Sequence, residues 1–430
     1  MAATVAPSTP ETRIAVPADQ ISYEDLYARW EKGNWCSTEI DFTQDKVQWR
    51  ETFTPFERKA ALWNYALFFH GEDAVADNLS PYIDAAPLEE QKYFLATQQV
   101  DEARHAVFFG RFMKEVVETG ADTIAGSLDA TRPELTWGFR KTFAFLDRVA
   151  GELRADRSLP MLARAITLYH LIIEATLAQP GQHFIEAYLV DRDLLPGFRG
   201  GMRNVALDEQ RHIGFGVKMI ADLIRMDPEC RDAVAQLLRE VTPYTVAVFV
   251  PPGWDERYAS CFGFSLEDIF EEGAMSLEAK LRAAGLPPED LPGGSPFPFD
   301  IPPRERAQRG LALLRGNYLG EKAGPVSRDP DVQALYFDGI KRAVDPGAPP
   351  MTVLWDFTDA EPWHLRVANG ATAIAPGGVA HADLTLRCSL DDFVDITAGR
   401  EHPRRALLRG KLRPKGSPLA IWRARALFGN

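Results

Sequence analysis

The sequence predicts a mainly α protein: a four-helix bundle with extra helices, followed by a small α+β domain. Three observations carry this. Residues 54–285 read as helix after helix, a Pro/Gly-rich break follows, and both periodicity and charge change beyond it. A chain of 430 residues also exceeds what one typical core organises, so two domains are expected.

The first helix starts at Thr54-Pro55-Phe56-Glu57, where Thr54 can cap, Glu57 can reach back and Pro55 suits the first turn. The stretch to about Ser80 is apolar on most sides, as expected of a helix in the middle of a bundle. Further long stretches run over Leu88–Thr119, Pro133–Asp156, Leu159–Val190 and Pro196–Met226, with shorter helices over about 229–240 and 265–284. Pro180-Gly181 predicts a kink in the fourth. Seven prolines and Gly293-Gly294-Ser295 between Leu286 and Pro303 make a linker. Beyond it, Thr352–Phe357, His364–Ala368, Ala371–Ala375 and Asp383–Cys388 read as strands. Leu390–Ala398 reads as a helix, followed by a basic segment and the apolar Leu419–Phe428. The organisation is then a loose N-terminal arm over 1–20, a helical domain over 21–285, a linker over 286–303 and a small domain over 304–430.

Charge divides at the same place. Residues from Arg304 onward hold 19 Lys+Arg against 14 Asp+Glu, or +5, leaving −18 of the total −13 for residues 1–303. The acidic balance argues against general nucleic-acid binding. No run of about 18 apolar residues indicates a membrane span. The four cysteines are scattered without a CxxC pair, which argues against disulfides and thiolate zinc and fits a reducing cytoplasm.

Two segments echo each other: Asp101-Glu102-Ala103-Arg104-His105 and Asp208-Glu209-Gln210-Arg211-His212. Each sets Glu and His three apart, on one helical face. One such pair is a weak signal; the repeated D-E-x-R-H inside two apolar helices is a strong one. Each echo follows a lone carboxylate in an apolar helix, Glu72 by 30 residues and Glu174 by 35, enough for one helix up and the next down. One Glu from each of two helices plus ExxH from each of two others is the ligand set of ferritin-like dimetal proteins. A Glu among Ile172, Ile173, Ala175 and Leu177 is costly to bury unless paired or metal-bound. Oxygen-rich ligands with one imidazole per metal suit iron or manganese. The competing reading is surface ion pairs, Glu102 with Arg104 and Glu209 with Arg211, but residues two apart do not face each other on a helix. Asp101 and Asp208 are candidates to orient the histidine of the opposite motif.

At these residues the chain resembles the small subunit of ribonucleotide reductase, and more closely the ligand-binding oxidases of that superfamily. The likeness runs from about Trp35 to Met226, through Ile40-Asp41-Phe42-Thr43, Gly71-Glu72-Asp73-Ala74-Val75, both motifs, Tyr169 to Glu174, and Leu195-Pro196-Gly197. It implies a manganese/iron or di-iron centre on Glu72, Glu102, His105, Glu174, Glu209 and His212, and an ether cross-link between Val75 and Tyr169. Phe109 stands where the reductase subunit has its radical tyrosine, which favours the oxidase branch. On a regular helix Tyr169 lies about 140° round from Glu174, so both can face the metals only with a local π-bulge. Packing alone would also explain Val75 and Tyr169. His70 and His170 match no ligand position and read as packing or supporting groups.

The last 75 or so residues resemble the sterol carrier protein type 2 domain, a lipid- or acyl-binding fold. Ala382-Asp383-Leu384-Thr385-Leu386, Leu390-Asp391-Asp392-Phe393, Ala398-Gly399-Arg400 and Leu408-Arg409-Gly410-Lys411-Leu412 carry this. Arg400 to Arg425 holds nine Lys+Arg against Glu401 alone, a solvated basic face or a site for anionic lipid. Together the resemblances imply two-electron C–H oxidation with O2 of a hydrophobic small-molecule or long-chain acyl substrate, an electron donor the sequence does not name, and a homodimer as in related bundles. The other readings are a di-iron N- or C-oxygenase, a non-catalytic lipid-binding scaffold and a radical-generating reductase subunit.

Overall fold

A computed structural model describes residues 15–291, 297–345 and 347–427. The chain divides into two compact units, the first ending at Leu291.

Four helices of the first unit carry the residues singled out above: α1 (Pro55–Asn78), α2 (Glu89–Phe112), α3 (Leu159–Asp191) and α4 (Pro196–Met226). The capping box at the start of α1 is present, with Thr54 Oγ1 accepting from Glu57 N and Glu57 Oε2 accepting from Thr54 N. Two of the orphan amides of a helix start are thereby satisfied. The start of α4 is held differently. Leu195 has a left-handed backbone (φ 45°), and the buried Asp45 accepts from the amides of Gly197 (2.9 Å) and Phe198 (2.6 Å). A carboxylate there also complements the helix dipole. Residue 197 must be glycine, because a Cβ would lie 2.3 Å from the Asp41 carbonyl oxygen.

α3 is irregular where the sequence requires it. Thr167–Ala178 is π-helical between the α-helical Leu159–Ile166 and Gln179–Asp191. Pro180 and Gly181 themselves lie in the α-helical part, and the irregular turns precede them. The Thr176 hydroxyl donates to the Leu171 carbonyl at 2.6 Å. The apolar character of α3 serves the bundle: Leu168, Tyr169, Leu171, Ile172 and Ala175 are buried. Against α4 the two backbones come close, and a Cβ at Gly216 would lie 2.2 Å from that of His170.

Trp137–Ala155, Glu229–Thr245 and Leu266–Ala283 are helices of the same unit. In the stretch expected as a loose arm, residues 1–14 lie outside the described residues, while Ala18–Gln20 forms a 3-10 turn with Ala18 buried. In the expected linker, Pro288–Asp290 is also a 3-10 turn, and 292–296 lie outside the described residues.

The second unit is a five-stranded sheet with helices. The strands are β1 (Met351–Phe357), β2 (Trp363–Ala368), β3 (Ala371–Pro376), β4 (Leu384–Cys388) and β5 (Arg413–Gly416), in the order β3-β2-β1-β4-β5. All neighbours are antiparallel except β1 and β4, which run parallel. β1 alternates buried and half-buried positions, so Trp355 and Phe357 face Phe337 and Phe393. Elements of this unit not expected from the sequence include the helices Pro303–Arg315, Pro330–Arg342 and Pro403–Leu408, and β5.

Candidate metal centre

Glu72 on α1, Glu102 and His105 on α2, Glu174 on α3, and Glu209 and His212 on α4 are all buried and converge in the middle of the bundle. Ligand atoms of Glu72, Glu102, His105 and Glu209 lie within 4.8 Å of one another, and so do those of Glu102, Glu174, Glu209 and His212. Glu102 and Glu209 belong to both groups. Each histidine turns Nδ1 inward. His105 Nδ1 is 3.1 Å from Glu72 and 3.5 Å from Glu102, and His212 Nδ1 is 3.3 Å from Glu102 and 3.5 Å from Glu174.

The outward nitrogens explain the rest of the repeated pentapeptide. His105 Nε2 donates to Asp208 and His212 Nε2 donates to Asp101, both at 3.1 Å, so each motif's aspartate holds the other motif's histidine. This crossed arrangement fixes tautomer and ring orientation. The arginines close the square: Arg104 donates to Asp101 and to Asp208 (3.0 Å), and Arg211 to Asp208 (2.7 Å) and Asp101 (2.5 Å). The surface ion pairs weighed as the competing reading are absent among the described residues, because both arginines serve aspartates. Trp30 donates to Asp101 (3.0 Å) and Trp35 to Asp208 (2.8 Å).

Burial and neighbouring charge set the acid–base character of the cage. Burial pushes Glu72 up to about 7 and Glu174 to about 8, and it lifts Glu209 well above the usual range, with Glu174 and Glu102 adding repulsion. Burial opposes the charge on Glu102 too, but His105 and His212 hold it below the usual range. Both imidazoles stand well above their ordinary value although burial works against them, because carboxylates surround them. These opposed shifts mark a site whose buried carboxylates favour added positive charge. Glu102 Oε2, Glu174 Oε2, Glu209 Oε2 and His212 Nδ1 are buried without hydrogen-bond partners. Inward-facing orphan acceptors are costly in a dry interior and are what bound cations satisfy. The donor set of carboxylates with one imidazole in each group fits iron or manganese.

A narrow, mostly apolar pocket of about 50 Å3 meets the cage on one side. Four of its lining residues are Glu72, Glu102, Glu174 and Glu209; the others are apolar and include Phe68, Val75, Phe143, Ile173 and Phe249. Val75 therefore faces this space beside Glu72. Tyr169 also reaches the cage: its hydroxyl donates to Glu102 Oε1 at 3.0 Å and its ring meets Tyr82 edge-on. The π-helical turns of α3 let residues five apart share a face, which brings Tyr169 and Glu174 to the same cluster. Burial and the surrounding carboxylates keep the Tyr169 phenol protonated. Phe109 packs among Phe68, Phe108 and Phe198.

Sequence reasoning missed the arginine pair, Trp30 and Gln98. Gln98 is one turn before Glu102; it donates to Glu174 (2.8 Å) and accepts at 3.0 Å from His170. Its spacing of four from Glu102 on an apolar helix was the available signal. His70 meets Thr131 Oγ1 at 3.1 Å, away from the cage.

Comparison with known proteins agrees with this geometry. Residues 16–244, more than half of the chain, match the family model described as ribonucleotide reductase, small chain. Residues 351–428 match the SCP-2 sterol transfer family. Among solved structures, a point variant titled R2-like ligand-binding oxidase with anaerobically reconstituted Mn/Fe cofactor is 24% identical, with a TM-score of 0.52 over 62% of this chain and 94% of that one. Another, with aerobically reconstituted Fe/Fe cofactor, has the same identity and coverage and a TM-score of 0.54. A third, with aerobically reconstituted Mn/Fe cofactor, is 23% identical over 66% of this chain and 98% of that one, at TM-score 0.52. At such identity the structures establish the fold. The ferritin-like bundle and its family match make the chain a member of the ribonucleotide reductase small-chain family that carries a sterol-carrier-type domain at its other end.

Proposed function

We propose that the protein is an O2-dependent dimetal oxidase that removes two electrons from a C–H bond of a hydrophobic substrate. The observation that carries this reading is a buried six-residue cage opening on an apolar cavity. Glu72, Glu102, His105, Glu174, Glu209 and His212 hold the two metals, Mn/Fe in first preference and Fe/Fe in second. When bound, this centre supplies oxygen activation and two-electron oxidising power. The chain's own residues do the rest. Glu102 and Glu209, which belong to both groups of potential ligands, would hold metal from the α2 and α4 sides, and Asp101 and Asp208 orient the two imidazoles by accepting from Nε2. Phe68, Phe143 and Phe249 exclude water and seat an apolar chain, whose transfer from water into such a pocket is favourable. The C-terminal domain binds the lipid or acyl group, in keeping with its family match.

In the same reading Tyr169 and Val75 become joined by an ether bond on first oxidation. The phenol O–H and a valine C–H are lost, one O–C bond forms, and the two electrons and two protons pass to O2, taking it to the peroxide level. Tyr169 is held protonated at Glu102, which is the acceptor for its proton.

The test is intact mass and peptide mapping after loading with Fe(II), with and without Mn(II), in air. Loss of two hydrogens from a linked pair of peptides carrying Val75 and Tyr169 supports the oxidase reading, and the metal that supports it identifies the cofactor. Bound metal without linkage favours the second reading, a di-iron N- or C-oxygenase. Phe109, which has no phenol to oxidise, speaks against a radical-supplying reductase subunit.

A further inference from the structure

The C-terminal stretch that follows the helix Leu390–Thr397 has a composition the metal chemistry does not use. It runs through the helix Pro403–Leu408, the edge strand β5 and the helix Pro418–Ala426, which packs on β1, β4 and β5. Large apolar side chains stand in solvent along it: Leu408 is 90% exposed, Trp422 66% and Leu419 54%. Single exposed apolar residues need no explanation, but several in one short stretch do.

The same stretch is basic. Arg405, Arg409 and Lys411 lean toward Glu401, while Arg404, Arg413, Lys415 and Arg423 have no acidic partner among the described residues. An edge strand is often given Lys, Arg and Pro to prevent strand pairing, and that accounts for Arg413, Pro414 and Lys415. It does not account for Leu408 and Trp422, since protection against association removes exposed apolar groups.

Lys/Arg together with exposed Leu and Trp match the chemistry of an anionic bilayer surface. The cations meet the phosphates, and the apolar side chains enter the headgroup boundary, where Trp is favoured. A nucleic acid would use the charge but leave Leu408 and Leu419 in water. We propose that the segment from Arg404 to Arg423 docks the protein on an anionic phospholipid bilayer. The proposal is independent of the reading of the metal centre. It gives the sterol-carrier-type domain a place to collect or release its lipid.

Flotation of the full-length chain with vesicles tests it. Partition into phosphatidylcholine containing one part in three of phosphatidylglycerol should exceed partition into phosphatidylcholine alone by about tenfold or more, and should fall as salt is raised. Arg404→Glu, Lys415→Glu and Arg423→Glu together should abolish the preference. Leu408→Ser with Trp422→Ser should weaken binding to both vesicle types. All five side chains are exposed, and unchanged circular-dichroism melting verifies that each variant folds. Equal partition into the two vesicle types, indifference to both variants, or binding to duplex DNA without binding to vesicles would overturn the proposal.

Discussion

The two halves of the cage are made from the same parts and are not equivalent. One half has Glu72, His105, Asp208 and Trp35; the other has Glu174, His212, Asp101 and Trp30. Their outer bonds are nearly superimposable in length. The inner surroundings differ: Gln98, backed by His170, clamps Glu174, whereas Glu72 meets His105 at 3.1 Å and lies beside Val75 at the cavity. A carboxylate with a fixed oxygen and one free to move offer two different coordination environments. Symmetry of motif thus allows asymmetry of metal, which is what a mixed Mn/Fe centre requires.

Glu102 belongs to both halves, so its loss should have the largest effect. Glu102→Gln should abolish binding of both metals, measured as metal per chain after desalting. Retention of one metal would show that the halves load independently. Asp101→Ala and Asp208→Ala come next. Each strands two arginines and a histidine, which should lower metal affinity about 10–100-fold and cost about 3–5 kcal/mol on denaturant unfolding. Asp101→Ala should disturb the His212 half first, and Asp208→Ala the His105 half. Identical metal-binding curves for the two variants would erase the distinction.

Acid–base behaviour sharpens the same comparison. In the metal-free protein Glu72 and Glu174 stand at about 7 and about 8, above their ordinary value of 4.5. The folded state therefore keeps protons that the unfolded chain releases. Their contribution to stability is complete below 4.5 and is lost as pH rises through about 7 to 8. Loaded protein should move oppositely, since ligands bind metal deprotonated. Melting temperatures with and without metal should diverge as pH rises from 5 toward 8; parallel curves would sink the assignment of these carboxylates as ligands. The smallest effect is expected from Trp30→Phe and Trp35→Phe, each removing one bond to a carboxylate, about 1.5–3 kcal/mol by thermal or chemical unfolding.

Much of this was legible in the sequence. Apolar helices gave the bundle, the echoed D-E-x-R-H gave the convergent residues, and the spacing of Tyr169 from Glu174 required the π-helical turns found in α3. The roles of Arg104 and Arg211 were not, because their partners lie on a different helix and leave no mark in local spacing. β5 was hidden because its four residues are all exposed and show no alternation. The helix Pro303–Arg315 was hidden by polar residues that are in fact buried, Arg306 and Arg309, the latter tied to Asp338 at 2.7 Å.

The crossed aspartates also bear on how such a sequence can change. Each copy of the pentapeptide supplies a Glu and a His to the cage and an outer clamp to the other copy. A substitution in one copy therefore weakens both, and no drift in the first can be repaired within the first alone. Two segments more than a hundred residues apart thus share one hydrogen-bonded geometry, and neither keeps its histidine in place without the other.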